Sequence, residues 1–356
     1  MESRPRYPQN FMSRFILQEH ANQTPAGSPP PTVLVTGATG ALGPAVIAAL
    51  QQAGYAVRIL VRRPPPAQRA VEWRQGDITD CNAVTTALAG CAAVVHMAAL
   101  LHIVNPAPTL RADYEKVNVG GTANLVQAAL QVGVERLVFF STIAVYGASQ
   151  GQILDETTPP HPNTLYGQTK LAAEQIVGQA QRADGQPLGT ILRLSAVYGA
   201  QVKGNYQRLL HSLARGRFLP IGPGRNRRAL IYDRDVAAAT VLALQHPGAA
   251  GRIYNVTDGQ HHTLQEIIQA ITISLGRRPP RFALPVAPVR WLAGLVEDSA
   301  QLLGCQSPLG RATLDKYTED IAINGQRIQQ ELGFIPRFPL ASGWQDAIQT
   351  MRLRGD

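Results

Sequence analysis

From Thr32 to Leu194, short apolar runs alternate with longer stretches of helical periodicity. The runs Thr32–Thr36, Ala56–Val61, Val71–Arg74, Ala93–Met97, Arg136–Phe140 and Thr190–Leu194 read as strands. Most are apolar at consecutive positions, the mark of strands covered on both faces. Between them, Ala45–Ala53, Asp80–Ala89, Asp113–Val132 and Leu165–Arg182 carry helical patterns, and Arg62–Pro66 breaks the chain. Strand and helix in alternation predict an α/β fold, a Rossmann-like doubly wound parallel sheet.

The texture changes after Gly199. Helical stretches near Asn205–Arg215, Val236–Gln245, Leu264–Leu275, Val289–Leu303 and Gly325–Leu332 are separated by Pro- and Gly-rich loops. They predict a smaller, mainly helical C-terminal substrate lobe. Val289–Leu303 is amphipathic, and its apolar face suits a core, an oligomer contact or a membrane surface. The expected organisation is a disordered N-terminal extension over 1–31, an NAD(P)-binding domain over 32–200 to which later segments return, and a mainly substrate-binding lobe over 201–356. The extension ends in TPAGSPPP, too polar to offset its ordering entropy.

Composition narrows the function classes. The 356 residues are 45% hydrophobic, enough for a full core. Cys81, Cys91 and Cys305 form no CxxC pair and no His/Cys cluster. This argues against a disulfide scaffold and a metal site, and places the chain in a reducing, cytoplasmic compartment. No apolar run reaches the roughly 18 residues of a membrane helix, so stable membrane insertion is not expected. The net charge is +9, and 29 of the 33 basic residues are arginine. They form no dense basic run with interleaved aromatics, which favours a phosphate-bearing small molecule over nucleic acid.

Candidate chemistry begins at Gly37-Ala38-Thr39-Gly40-Ala41-Leu42-Gly43, between the first strand and the first helix. Glycines at this spacing permit a tight turn and let a pyrophosphate approach the backbone at a helix N-terminus. The second strand ends in Val61-Arg62-Arg63, with no acid to hold a ribose 2′-hydroxyl. Arg62 or Arg63 can pair with a 2′-phosphate, so NADP is favoured over NAD. Tyr166 and Lys170 lie four apart on a predicted helix, hence on one face. A lysine cation beside a phenol favours phenolate, and the pair then serves as a general acid/base for a carbinol.

With these residues the chain resembles the extended short-chain dehydrogenase/reductases, the NAD(P)-dependent epimerase/dehydratase group, over roughly residues 32–350. The resemblance places Gly37, Thr39, Gly40, Ala41, Leu42 and Gly43 in the cofactor turn. It places Asp77 and Ile78 at the adenine, Met97, Ala98 and Ala99 along the cofactor, and Asn118 in the NVGGT segment. It implies a catalytic trio of Thr142, Tyr166 and Lys170, with Tyr166 and Lys170 also touching the cofactor, and it implies a homodimer. Asn205 and Arg228 fall where nucleotide-sugar enzymes meet the substrate diphosphate, with Arg225 and Arg227 nearby.

Two positions depart from that pattern. Ile143 and Ala144 follow Thr142 where sugar dehydratases carry Asp and Glu, which disfavours a 4,6-dehydratase. Ala196 stands where many 4-epimerases carry Asn. The expected activity is NAD(P)-dependent chemistry at carbon 4 of a nucleotide-diphosphate sugar, of the UDP-sugar 4-epimerase type. The alternatives are a 4-keto nucleotide-sugar reductase, a hydroxysteroid- or flavonol-type ketone reductase, and a dinucleotide-sensing regulator. His102, His161, His261 and His262 are expected in loops.

Overall fold

The computed structural model describes residues 29–65, 71–101, 103, 108–302 and 311–354. Most of the predicted N-terminal extension, together with Pro66, His102 and Cys305, lies outside the described residues. The central sheet has seven parallel strands: β1 (Thr32–Thr36), β2 (Ala56–Val61), β3 (Glu72–Gln75), β4 (Ala93–His96), β5 (Arg136–Thr142), β6 (Gly189–Leu194) and β7 (Ile253–Val256). Their spatial order is β7-β6-β5-β4-β1-β2-β3. The chain winds outward from β1 to β3, then crosses to the other side of β1 to continue at β4. The crevice at that reversal, outside the carboxyl ends of the strands, is where such sheets bind ligands.

Period-two alternation divides the core into two layers. Val33 and Val35 face one layer with Val46, Leu50, Val236 and Ala239, contributed by the helices Gly43–Gln52 and Asp233–Gln245. Leu34 faces the other with Val84, Leu88, Leu125 and Val177, from the helices Cys81–Leu88, Gly121–Gln131 and Leu165–Gln179. A third cluster, including Tyr198, Leu230, Tyr232, Ile267, Trp344 and Ile348, is the core of the C-terminal lobe.

Several elements differ from the sequence expectation. β3 begins one residue later than predicted and all four of its residues are exposed. It is a charged edge strand in which Glu72 pairs with Arg58 of β2 at 2.9 Å, so hydrophobic patterning could not mark its bounds. The predicted helix Asp113–Val132 is three pieces: Arg111–Tyr114, a π-helical turn Glu115–Gly120, and Gly121–Gln131. The Leu165–Gln179 helix stops short of Arg182 because Ala180 is extended. β7 and the terminal helix Leu340–Arg354 were not anticipated. Nor were the short ladders joining Ala196–Tyr198 to Leu230–Tyr232 and Ile153–Leu154 to Ala322–Ile323. No helix among the described residues is long and apolar enough to cross a membrane.

Candidate active site

The glycine turn is shaped by close approach. Gly37 has φ +71°, and a Cβ there would lie 2.7 Å from the Ala98 nitrogen. A Cβ on Gly43 would lie 1.8 Å from the Ala38 carbonyl oxygen. The turn therefore backs directly onto the exit of β4, where Met97, Ala98 and Ala99 are half-buried. The Gly43–Gln52 helix that follows has no side-chain N-cap; the Gly43 amide donates to the Gly40 carbonyl at 3.2 Å, and Pro44 has no N–H. A glycine cradle against an uncapped helix start fits a dinucleotide pyrophosphate.

Beside this turn, Thr39, Arg62, Arg63, Pro64 and Pro65 line a cavity of about 590 Å³. The structure thus brings both arginines to the glycine turn. Asp77 accepts hydrogen bonds from the Thr79 amide at 2.9 Å and the Thr79 hydroxyl at 2.8 Å. Burial works to raise its pKa, but the Thr79 bonds and the charges of Arg62 and Lys116 outweigh it and hold the carboxyl below its usual range. Ile78 is buried, and a Cβ on Gly121 would come within 2.8 Å of it.

A buried polar chain links the turn to the helix that carries Tyr166. The Ala98 amide donates to Thr36 Oγ1 at 3.3 Å, and Thr36 Oγ1 lies 2.7 Å from His96 Nδ1, which accepts its proton because Nε2 of the neutral ring carries the hydrogen. His96 Nε2 then donates to Thr122 Oγ1 at 3.0 Å, and that hydroxyl donates to the Asn118 carbonyl at 2.6 Å. Burial, followed by the charge of Lys170, pushes the His96 pKa down to about 3, which keeps the ring neutral in this role. The Asn118 amide accepts from Leu100 N at 2.8 Å and donates to Leu100 O at 3.2 Å and to Thr169 Oγ1 at 3.1 Å. With both ends of its amide engaged and 1% exposure, Asn118 braces the loop after β4 against the Leu165–Gln179 helix.

Thr142 ends β5, paired with Leu194 of β6, and accepts from the Ala144 amide at 3.2 Å. Thr164 caps the Leu165–Gln179 helix by accepting from Gly167 N at 3.1 Å. A Cβ on Gly167 would lie 2.7 Å from the Ala144 carbonyl oxygen. Glycine at 167 thus lets the helix start press against the turn that follows Thr142, with Tyr166 beside it and Lys170 one turn on. Tyr114 is close to Tyr166 and donates to the Leu101 carbonyl at 2.5 Å.

The electrostatics correct one expectation. Lys170 was expected to depress the Tyr166 pKa. Burial instead pushes the phenol up to about 12, with Tyr114 adding to the rise. Burial also pushes Lys170 down to about 7, against the pull of Glu174. The lysine is 3% exposed and stacks on Phe139. Desolvation is the largest influence on both groups.

Sequence reasoning missed the support beneath this trio. Glu174, one turn beyond Lys170, meets Arg193 Nη2 at 2.7 Å and Nε at 3.0 Å, with both side chains buried. Ser141 donates to the same carboxylate. The Arg193 guanidinium lies 4.8 Å over the Tyr146 ring, and the Tyr146 hydroxyl donates to Asn255 Oδ1 at 2.8 Å. The available signal was a lone arginine within TILRL and an acid four residues after Lys170.

The substrate candidates divide. Asn205 is exposed at the start of the Asn205–Ala214 helix. Its neighbour Tyr206 is pushed up to about 12 by burial, opposed by the charge of Arg228. Arg228 also donates to the Tyr317 carbonyl at 2.9 Å. Arg227 is bound to Asp320 at 2.6 Å and to the Gly151 carbonyl at 2.9 Å, a structural tie rather than an open clamp. Arg225 is exposed. His261 and His262 have protein partners in Ile323 O and Asp258.

A profile of the NAD dependent epimerase/dehydratase family matches residues 33–257. The UDP-glucose 4-epimerase of Vibrio cholerae is 30% identical over 328 residues, 90% of this chain and 95% of that protein. A 3 beta-hydroxysteroid dehydrogenase/Delta 5-->4-isomerase of Mycobacterium tuberculosis is 28% identical over 326 residues, 86% of each chain. The structure of MoeE5 in complex with UDP-glucose and NAD superposes with a TM-score of 0.72 at 27% identity, covering 91% of this chain and 100% of that one.

Proposed function

The chain belongs to the NAD dependent epimerase/dehydratase family, and from that premise we propose an NADP-dependent oxidoreductase/isomerase acting at carbon 4 of a nucleotide-diphosphate sugar, of the UDP-sugar 4-epimerase type. Residues 32–200, completed by the returning 233–256 segment, hold the dinucleotide, and most of 201–356 shapes the substrate lobe. The Gly37–Gly43 turn would hold the pyrophosphate, Arg62 or Arg63 a 2′-phosphate, Asp77 and Ile78 the adenine, and Lys170 a ribose. When bound, the nicotinamide supplies the hydride acceptor and donor.

The observation that supports the reading is the approach of Gly167 to Ala144, which brings the start of the helix carrying Tyr166 against the turn that follows Thr142. Tyr166 takes the proton of the sugar hydroxyl as it becomes a carbonyl and returns it when the carbonyl is reduced. Thr142 donates a hydrogen bond to the same oxygen. Arg228, whose charge acts on Tyr206 beside Asn205, supports the diphosphate assignment, because a guanidinium fork suits phosphate oxygens. Ile143 and Ala144 cannot move protons, so the reading does not extend to dehydration.

One observation favours a second reading. Ala196 stands where many 4-epimerases carry Asn, which favours a 4-keto nucleotide-sugar reductase in which the Tyr166 phenol gives its proton to the carbonyl oxygen. Incubation of the protein with UDP-glucose, and separately with a 4-keto nucleotide sugar and NADPH, tests both. Sugar interconversion by NMR with unchanged nicotinamide absorbance supports epimerisation. Cofactor consumption with the keto sugar alone supports reduction. Turnover of a hydroxysteroid and of neither sugar would overturn the nucleotide-sugar assignment and leave the oxidoreductase assignment standing.

A further inference from the structure

The helix Val286–Leu302 turns its apolar stripe outward. Pro288, Trp291, Leu292, Leu295 and Val296 follow the i, i+3, i+4, i+7, i+8 spacing of one helix face, and all five are exposed. Trp291 is 66% exposed and Val296 50%. The opposite side holds the partly buried Val286, Ala293 and Glu297. This inverts the arrangement of an ordinary surface helix, whose apolar face packs inward.

Further exposed apolar residues lie in the segment that leads into the helix. Leu284 is 40% exposed, and its backbone pairs with Pro220 and Gly222, each bond 2.8 Å long. That pairing sets it beside the exposed Leu219, and Phe282 is 81% exposed two residues earlier. Scattered exposed apolar residues are ordinary, but a stripe of five along one helix face marks an interaction surface.

The charges around it select the partner. From Gly276 to Val296 the chain carries Arg277, Arg278, Arg281 and Arg290 and neither Asp nor Glu. All four arginines are exposed. Arg290 pairs with Asp315 at 3.1 Å. Among the described residues, Arg277, Arg278 and Arg281 have no acidic partner. Asp298 lies exposed at the far end of the helix. The helix itself carries Arg290, Glu297 and Asp298, so the positive charge lies in the segment that leads into it; an exposed apolar stripe with a tryptophan, preceded by exposed arginines, suits the headgroup region of an anionic bilayer.

We propose that this face docks the protein peripherally on an anionic lipid surface, with the Val286–Leu302 helix lying in the plane of the interface. Trp291, Leu292, Leu295 and Val296 enter the acyl boundary, and Arg277, Arg278 and Arg281 meet lipid phosphates. The inference rests on this surface alone and is independent of the substrate assignment.

Flotation of the full chain with phosphatidylglycerol/phosphatidylcholine vesicles tests it. The protein should float with these vesicles at low salt and partition at least about tenfold less onto phosphatidylcholine alone. Leu295→Glu should lower partition at least about tenfold at unchanged thermal stability. A triple Arg277→Ser, Arg278→Ser, Arg281→Ser variant should lose the preference for anionic lipid. In a Trp73→Phe background the remaining exposed tryptophan is Trp291, and its emission should shift to the blue on binding. No flotation with the anionic vesicles would overturn the proposal, as would flotation unchanged in both variants. Loss of a dimer in light scattering on Leu295→Glu, with no vesicle binding by the parent, would instead assign the face to a contact between copies.

Discussion

The Lys170 ammonium lies 3.9 Å from the centroid of the Phe139 ring. An aromatic face attracts a cation but cannot take its proton. Glu174, on the next turn, pulls the Lys170 pKa upward, yet burial prevails and leaves it at about 7. The lysine is therefore poised between its two protonation states near neutral pH.

This poise is visible in stability. The folded pKa of Lys170 lies below its unfolded value of 10.5. Between about pH 7 and 10.5 the unfolded chain therefore binds the extra proton, and stability rises with pH through that window. The cost of burying the lysine is fully present below about pH 7. Lys170→Met should stabilise the fold at neutral pH by a few kcal/mol, since each tenfold loss of proton affinity on folding costs about 1.4 kcal/mol. The gain should vanish near pH 10.5. Urea denaturation of both proteins across that range measures the difference. An advantage that does not change with pH would reject the depressed pKa.

Tyr166→Phe should keep the fold and cofactor affinity while removing the proton carrier. The loss in turnover should be about 10²- to 10⁴-fold, the scale for removing a general acid/base. Steady-state kinetics on whichever substrate reacts, with calorimetry of cofactor binding as control, gives the answer. Turnover near the parent value would remove Tyr166 from the mechanism.

For cofactor choice, Arg62 and Arg63 line the cavity beside Thr39. Replacing both by alanine should weaken NADPH binding at least about tenfold and leave NADH binding within about twofold, because only the 2′-phosphate loses charge-assisted bonds. Isothermal titration with each nucleotide measures it. Tighter binding of NADH by the parent protein would return both arginines to the surface.

Under the trio, Glu174 and Arg193 are each almost fully buried. Glu174→Leu leaves the Arg193 charge and the Ser141 hydroxyl without their partner, and should cost about 3–5 kcal/mol in urea denaturation. Adding Arg193→Met should recover part of that loss, since removing both charges also removes the uncompensated one. A double variant as unstable as the single one would show that the pair is not an isolated unit.

These support residues mark where sequence reading stopped. The glycine turn and the Tyr166–Lys170 spacing were legible because each is a local pattern with its chemistry inside a few residues. The strands β1, β2, β4, β5 and β6 were legible because burial on both faces leaves a continuous apolar run. β7 was not, since Ile253–Val256 is only four residues long and lies among helical segments. The π-helical turn at Glu115–Gly120 was hidden because its side-chain pattern continues that of the flanking helices. The inverted Lys170 and Tyr166 values required burial, a property of the assembled fold that spacing does not report. Arg193 and Glu174 are 19 residues apart, and only the pairing of β5 with β6 beneath the helix brings them together.

The late arrival of β7 has a consequence for synthesis. The Tyr146 hydroxyl reaches Asn255 across 109 residues of chain, and β6 has β7 as its outer neighbour. A ribosome that has released the chain only as far as Leu194 therefore presents a sheet with a raw, apolar edge, the kind that recruits other strands. The edge closes only after Val256 has emerged, roughly sixty residues later in a chain whose domains fold as they are made. A chaperone shielding that interval, or a slow stretch of codons beyond it, would act on the yield of native protein without touching any residue of the site.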